Sequence, residues 1–322
     1  MIRVGVIGLG GMGSVHGNQY RKMPDVQLHC FDRDTSKVEA YCEKFGAKAE
    51  GDLGHLLSAV DVVDVCLPTD LHLEVGLDCI ASNKPLLMEK PMALTVADAQ
   101  RLAEAASSAG VPMMPAQVVR YFPDFRHGHN LVASGAIGTP AVARVRRGGK
   151  APLGSEGWFQ DIERSGGVLL DLAIHDFDWL RWTLGEVTSV YSQSAALRGR
   201  QTGGDYALTT LTFESGAIAH VESTWLDPAG FRTTFEVCGS EGMIEHDSRE
   251  VGTLRIAKES GLVQQSPMGD LDDPYYLEIR GFLNAVANGT PPPVLPEDGI
   301  RAVAISRAAM ESAKTGRSVR PY

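Results

Sequence analysis

The sequence reads as an α/β chain, with a doubly wound parallel sheet first and then an α+β domain built on an antiparallel sheet. Two observations predict this. Up to about residue 118, short apolar runs alternate with amphipathic stretches, the pattern of parallel strands covered by helices on both faces. Beyond residue 120 the apolar runs follow one another through short Gly-containing turns, as antiparallel strands do. The length of 322 residues agrees with two domains at roughly 150 residues each. Residues 1–121 are expected to form the first and 122–322 the second.

Five apolar runs give the parallel strands: Ile2–Ile7, Val26–Phe31, Val62–Cys66, Pro85–Met88 and Met113–Gln117. Between them Thr35–Phe45, Leu71–Ala81 and Thr95–Ala109 have helical spacing, and Thr95 is a natural N-cap. In the second part Pro123–Ser134 predicts a helix and Pro140–Arg147 a strand. Residues 148–166, rich in Gly, Pro and charge, predict a loop, and Gly167–Thr183 a second helix. The stretch Val187–Ile256 is β-rich, with runs Tyr206–Phe213, Ala217–Trp225 and Arg232–Val237 and a turn at Glu214-Ser215-Gly216. Helices Pro274–Asn288 and Glu297–Thr315 close the chain on either side of the Pro291-Pro292-Pro293 breaker.

Composition excludes several classes. Hydrophobic residues at 43% are too many for a disordered chain. No apolar run approaches the ~18 residues of a membrane helix, and the first residues lead straight into a strand without signal-peptide character. A net charge of -10 is the wrong sign for a nucleic-acid partner, whose phosphates require excess Lys and Arg. The five cysteines (Cys30, Cys42, Cys66, Cys79, Cys238) are odd in number and form no CxxC pair, which predicts buried free thiols in a reducing cytoplasm. His127 and His129 lack a carboxylate partner set, so no metal site is expected.

Gly8-Leu9-Gly10-Gly11-Met12-Gly13 fits G-x-G-x-x-G between a strand and a helix. Gly8 would make the tight turn, Gly10 would admit a pyrophosphate close to the backbone, and Gly13 would let helix and strand pack. The amides of Gly11 and Met12 at the helix start would face the phosphates. Asp32 ends the second strand about 20 residues further on, where a carboxylate binds ribose hydroxyls. That acid favours NAD, while the neighbouring Arg33 leaves NADP tolerated.

The glycine loop, Cys66-Leu67-Pro68-Thr69-Asp70-Leu71-His72, Glu89-Lys90-Pro91 and Gly166-Gly167-Val168-Leu169-Leu170-Asp171-Leu172-Ala173-Ile174-His175 occur in order. Gly281-Phe282, Pro296-Glu297-Asp298-Gly299 and Thr315-Gly316-Arg317 follow. Together they make the chain, over nearly its whole length, resemble the Gfo/Idh/MocA family of glucose–fructose oxidoreductases and inositol dehydrogenases. The resemblance implies a Rossmann domain joined to an open-faced antiparallel sheet through which homodimers or homotetramers form. It also implies cofactor contacts from Leu67, Pro68 and Thr69, and further ones from Glu89, Lys90 and Gln117. His72 stands either near the nicotinamide or on a helix surface, and His16 carries a weaker signal. Lys90 and His175 are then the catalytic groups, with Asp171 beside the histidine.

Elementary chemistry agrees. Removing hydride from an alcohol carbon requires a base for the hydroxyl proton, and a histidine of pKa ~6.5 serves at neutral pH. In a continuous helix Asp171 and His175 share a face one turn apart, a spacing equally typical of an ordinary surface pair. Lys90 would stabilise alkoxide character, or be a plain solvated loop lysine. Tyr121, at the end of the last parallel strand, would donate to substrate or pack at the hinge. Trp158 and Asp161, with Lys150, would form a sugar platform or simply anchor the long loop. Trp179 and Trp182 are expected in the core or an interface. Inositol-oxidising members tend to carry Asn and paired Arg where this chain has Gln117-Val118-Val119-Arg120-Tyr121, which speaks against inositol itself. The expected activity is NAD(P)-dependent oxidation of a secondary hydroxyl of a sugar, sugar derivative or cyclitol. Two alternatives remain: a glycoside-cleaving enzyme using transient oxidation, and a non-catalytic NAD(P)-binding sensor.

Overall fold

The computed structural model describes residues 1–152, 154–196, 204–250, 254–258, 261–265 and 273–322. In the first part the elements are β1 (Ile2–Ile7), α1 (Gly11–Tyr20), β2 (Val26–Phe31), α2 (Thr35–Phe45), β3 (Lys48–Ala49) and α3 (Leu53–Ala59). They continue as β4 (Val62–Val65), α4 (His72–Ala81), β5 (Leu86–Glu89), α5 (Val96–Ala109) and β6 (Met113–Ala116). The six strands are parallel in the order β3-β2-β1-β4-β5-β6. This is the doubly wound dinucleotide-binding order, whose topological switch point lies between β1 and β4.

Local chemistry accounts for the helix ends. The Asp34 side chain caps α2 by accepting from the Ser36 amide, and the helix stops at left-handed Gly46. Thr95 caps α5 through the Asp98 amide, and α5 stops at left-handed Gly110. β4, β5 and β6 are buried at every position, because helices cover both faces. β3 and α3 carry little signal in the sequence. β3 has two exposed residues and no apolar signal, while α3 is short and defined mainly by its Asp52 cap.

The second part contains α6 (Pro123–Ala133), β7 (Pro140–Gly148), α7 (Ile162–Ser165), α8 (Ile174–Leu184) and β8 (Val187–Ala195). There follow β9 (Tyr206–Phe213), β10 (Ile218–Thr224), β11 (Arg232–Gly239), β12 (Gly242–Asp247), β13 (Leu254–Lys258) and β14 (Gly261–Gln265). They form an eight-stranded sheet in the order β14-β13-β12-β11-β7-β10-β9-β8. The expectation of an antiparallel sheet needs one correction: β7 and β10 run parallel, so the sheet is mixed. The long excursion between these two strands, which includes α8, permits that pairing. Along β11, Thr233, Phe235 and Val237 are buried in the core with Phe125 and Trp179, whereas Arg232, Thr234 and Glu236 point to the other, charged face. The helices α9 (Pro274–Asn288) and α10 (Pro296–Thr315) end the chain.

Two further expectations change. The 148–166 stretch is not all loop, since it holds a 3-10 turn at Ser155–Gln160 and α7; residue 153 lies outside the described residues. The helix expected over Gly167–Thr183 is broken, with a π-helical turn at Val168–Leu172 before α8 begins. By contacts the chain groups into Met1–Gln117 with Gly154–Trp158 and Asp272–Ile300, and Val118–Leu153 with Phe159–Leu271 and Arg301–Tyr322. The strands change sheet near the expected cut at 121, but α9 rejoins the first unit because it packs on α1.

Candidate active site

In the first unit the glycine loop has the geometry its sequence calls for. Gly8 has φ +90°, which an L side chain rarely adopts. A Cβ on Gly13 would lie 2.2 Å from the Gly8 carbonyl oxygen, so only glycine lets α1 sit this close to β1. By contrast, no atom of the described residues lies within 4 Å of a Cβ built on Gly10 or Gly11. No side chain caps the start of α1, so its first amides and positive dipole end suit an anion. Met12 follows them, half-buried in the first turn.

Asp32 is tied to this loop. One carboxylate oxygen accepts the Leu9 amide at 2.8 Å and the other the Asp34 amide at 2.9 Å. The adjacent Arg33 is exposed. Across the switch point, Leu67 and Pro68 lead into a 3-10 turn at Thr69–Leu71 in which Thr69 is buried. His72 follows and is completely buried, which removes the helix-surface reading. Its Nδ1 lies 2.8 Å from the Pro91 carbonyl and its Nε2 2.9 Å from that of Leu67. Burial lowers its pKa from the usual histidine value, against the pull of those carbonyls. A neutral imidazole donates to only one of these carbonyls, so His72 hydrogen-bonds one of the two loops and packs its ring against the other.

At the end of β5, Glu89 is buried and accepts the backbone amide of Lys90 at 2.9 Å. Lys90 itself is half-buried. Gln117, one residue beyond β6, is 1% exposed, and both ends of its side-chain amide lack a hydrogen-bond partner among the described residues. An unsatisfied buried amide costs about 1–3 kcal/mol, and native proteins keep few of them without a reason. Open space at Gly10 and Gly11, the uncapped helix start, Asp32 and the Gln117 amide together fit a dinucleotide at this sheet edge.

In the second unit Gly166 and Gly167 both have positive φ (+74° and +67°), making a corner that leads into the π-helical turn. Asp171 is buried within that turn, and His175 is half-buried near the start of α8. The π turn replaces the regular helix on which a shared face was expected. The residues after His175 anchor the helix. Asp176 accepts from Arg147, with the closest approach 2.7 Å, and Asp178 from Arg120 at 2.7 and 2.6 Å. All four side chains are nearly or completely buried. Burial raises the Asp176 pKa, against the lowering effect of Arg147. Trp179 is wholly buried in the core and donates its indole N–H to the Phe125 carbonyl at 2.9 Å. Trp182 stacks on His129 at 3.5 Å between ring centres.

The other sequence candidates are placed as follows. Tyr121 is half-buried in a 3-10 turn at Val118–Tyr121. Asp161 is exposed and its carboxylate caps α7 through the Glu163 amide at 3.0 Å. Trp158 is half-buried and groups with the first unit, as Lys90 does, whereas Asp161, Asp171 and His175 group with the second. The sequence reading missed the roles of Arg147, Asp176 and Asp178. The signal was there: two acids set among Phe177, Trp179 and Leu180 on a helix rich in large apolar side chains require buried partners.

A glycine cradle at the switch point of a doubly wound sheet, with an acid just after β2, is the geometry of a dinucleotide-binding domain. Residues 2–117 match the oxidoreductase family with an NAD-binding Rossmann fold, and residues 125–245 match the GFO/IDH/MocA C-terminal domain. The chain belongs to the Gfo/Idh/MocA family and is an NAD-dependent enzyme acting on CH–OH groups. It is 32% identical to myo-inositol 2-dehydrogenase of Thermotoga maritima, over 99% of this chain and 98% of that protein. It is 29% identical to scyllo-inositol 2-dehydrogenase (NAD(+)) of Bacillus subtilis, over 99% and 96%. Among solved structures, GenD2 from gentamicin A biosynthesis in complex with NAD superposes with a TM-score of 0.89 at 28% identity, over 99% of this chain and 96% of that one. Among the described residues no helix is long and apolar enough to cross a membrane.

Proposed function

We propose that this protein is a dehydrogenase that oxidises a secondary hydroxyl of a cyclitol, sugar or sugar derivative with NAD. The observation that carries the reading is the end-to-end match to an inositol 2-dehydrogenase. Lys90, Asp171 and His175 supply the functional groups that such a reaction requires.

NAD, when bound, would supply the hydride acceptor. His175 takes the hydroxyl proton, which leaves the carbon free to release its C–H electron pair and become a carbonyl. Lys90 offers positive charge where the oxygen gains alkoxide character. Asp171 orients the imidazole or holds a neighbouring hydroxyl. Gly8, Gly10, Gly11, Met12 and Gly13 would hold the pyrophosphate and Asp32 the ribose, with Gln117 a further cofactor contact. Leu67, Pro68 and Thr69 line the same edge, and His72 and Glu89 fix its backbone. Tyr121, Trp158 and Asp161 belong to the substrate side. The relatives give no support to the transient-oxidation or sensor alternatives.

The reading extends to assembly and place. The charged face of the second sheet alternates Arg144 and Arg146 with Glu222, Glu236 and Glu245, so a second copy of the same face can meet it with opposite charges. A homodimer or homotetramer through this sheet, in the cytoplasm, completes the proposal. The test follows nicotinamide reduction by absorbance, first with NAD and then NADP, over inositols, aldoses, sugar acids and glycosides. Reduction with a cyclitol or sugar and a preference for NAD is expected. No reduction with any member of the panel would overturn the substrate class.

A further inference from the structure

A polar cluster of His16, Tyr20, Asp64 and Cys66, buried beneath the Lys90 strand end against Glu89, has no role in the chemistry above. His16 of α1 and Asp64 of β4 are completely inaccessible, and Cys66, Tyr20 and Glu89 nearly so. His16 Nδ1 lies 2.8 Å from Asp64 Oδ2, and on the other side of the ring Nε2 lies 3.2 Å from Glu89 Oε1, an ion-pair contact without hydrogen-bond alignment. Tyr20 donates its hydroxyl to Asp64 Oδ2 at 2.8 Å, and the Cys66 thiol approaches Asp64 Oδ1 at 3.4 Å. The ligand atoms of His16, Asp64 and Cys66 fall within 4.8 Å of one another, a grouping that could also suit a metal. Two observations favour a hydrogen-bonded network instead. Asp64 already accepts from three groups, and burial pushes the Cys66 thiol away from the thiolate that a metal needs.

We propose that His16 is a positioning residue for Lys90: its imidazole joins the glycine-loop helix to Glu89, whose other oxygen accepts the Lys90 backbone amide. This rests on the dehydrogenase reading for its importance but not for its geometry. Burial alone would push the imidazole down, yet the Asp64 carboxylate outweighs it and raises the His16 pKa well above the ordinary value. A buried cation therefore stands between the carboxylates of Asp64 and Glu89. Without it Glu89 must take up a proton or swing towards water, because an uncompensated buried charge is costly. Protonation would leave the Lys90 amide a neutral and weaker acceptor, and a swing towards water would remove it. Strand β5 itself does not depend on this cluster, since its amides pair with neighbouring strands.

The test is His16→Gln, which carries no charge and lacks donors on opposite sides of a ring, read by residue-resolved hydrogen exchange on the full-length protein. Exchange at the Lys90 amide is expected to quicken about tenfold or more, with Leu87 and Met88 within about twofold of the parent. An unchanged Lys90 amide overturns the proposal. So does an equal acceleration along all of β5, which would mean that His16 only supports the fold. If His16→Gln does not fold, Asp64→Asn loosens the same imidazole and should give a smaller rise at Lys90; no rise there also overturns the proposal. Once a substrate is in hand, His16→Gln should lower kcat about tenfold or more and leave KM for NAD within about threefold. NADH titration of the parent protein separates the two readings: failure to bind sinks the dehydrogenase proposal, whereas the exchange result judges the His16 linkage alone.

Discussion

The Lys90 side and the His175 side are held in place by different means. On the first, side chains grip the backbone: Asp32 takes the amides of Leu9 and Asp34, His72 faces the carbonyls of Leu67 and Pro91, and Glu89 takes the Lys90 amide. On the second, side chains grip side chains, as Arg147 holds Asp176 and Arg120 holds Asp178. Backbone clamps fix the path of a loop against a rigid sheet edge. Paired ions fix the rotation and depth of a helix, but each depends on its partner. Damage to the second side should therefore spread through a domain, whereas damage to the first should stay local and show itself in ligand binding or turnover.

Lys90→Met should break the chemistry without touching the clamps. Turnover is expected to fall by about 10²–10⁴, with NADH affinity little changed in a fluorescence titration. An equal loss of NADH binding would make Lys90 a structural residue. Arg147→Met should act on the other side. It leaves the wholly buried Asp176 without that cation, so denaturant unfolding should report a loss of about 3–5 kcal/mol. A loss under ~1 kcal/mol would show that the pair is dispensable to α8.

Asp32→Ala removes a carboxylate expected on the ribose. The ratio of NAD to NADP efficiency should drop by about tenfold or more, and an unchanged ratio would remove the ribose assignment. Gln117→Leu gives the smallest effect and the sharpest contrast. Replacing an unsatisfied buried amide with an apolar group of similar size should stabilise the cofactor-free protein by up to about 1 kcal/mol while weakening NADH binding. Loss on both counts would place Gln117 in the fold rather than the site.

Much of the first side was legible in the sequence because short-range chemistry writes it. The β1, β2, α2 and α9 bounds follow directly from apolar runs, the turn at Gly46 and the Pro274 start, and the glycine loop dictates its own geometry. The second side was less legible. The parallel pairing of β7 with β10 depends on a partner some 75 residues away, which no local pattern records. The π turn holding Asp171 follows a double-glycine corner whose effect on the next turn cannot be derived from periodicity. His16 shows the same limit within the first unit: on a helix of mixed polarity, nothing local distinguishes an exposed histidine from one buried between Asp64 and Glu89.

The return of α9 to α1 bears on the order in which the protein can be completed. Arg280 of α9 grips Asp25, just ahead of β2, at 2.8 Å, and the Tyr275 ring lies 5.9 Å from that of His16. α9 begins roughly 250 residues after α1 ends, so at about 5–20 residues per second α1 waits some 12–50 s on the ribosome for its cover. A nascent chain stopped after residue 121 would carry every strand of the first sheet and the whole glycine loop, yet leave the outer side of α1 bare to water and chaperones. The nucleotide-binding half is thus translated first and finished near the end.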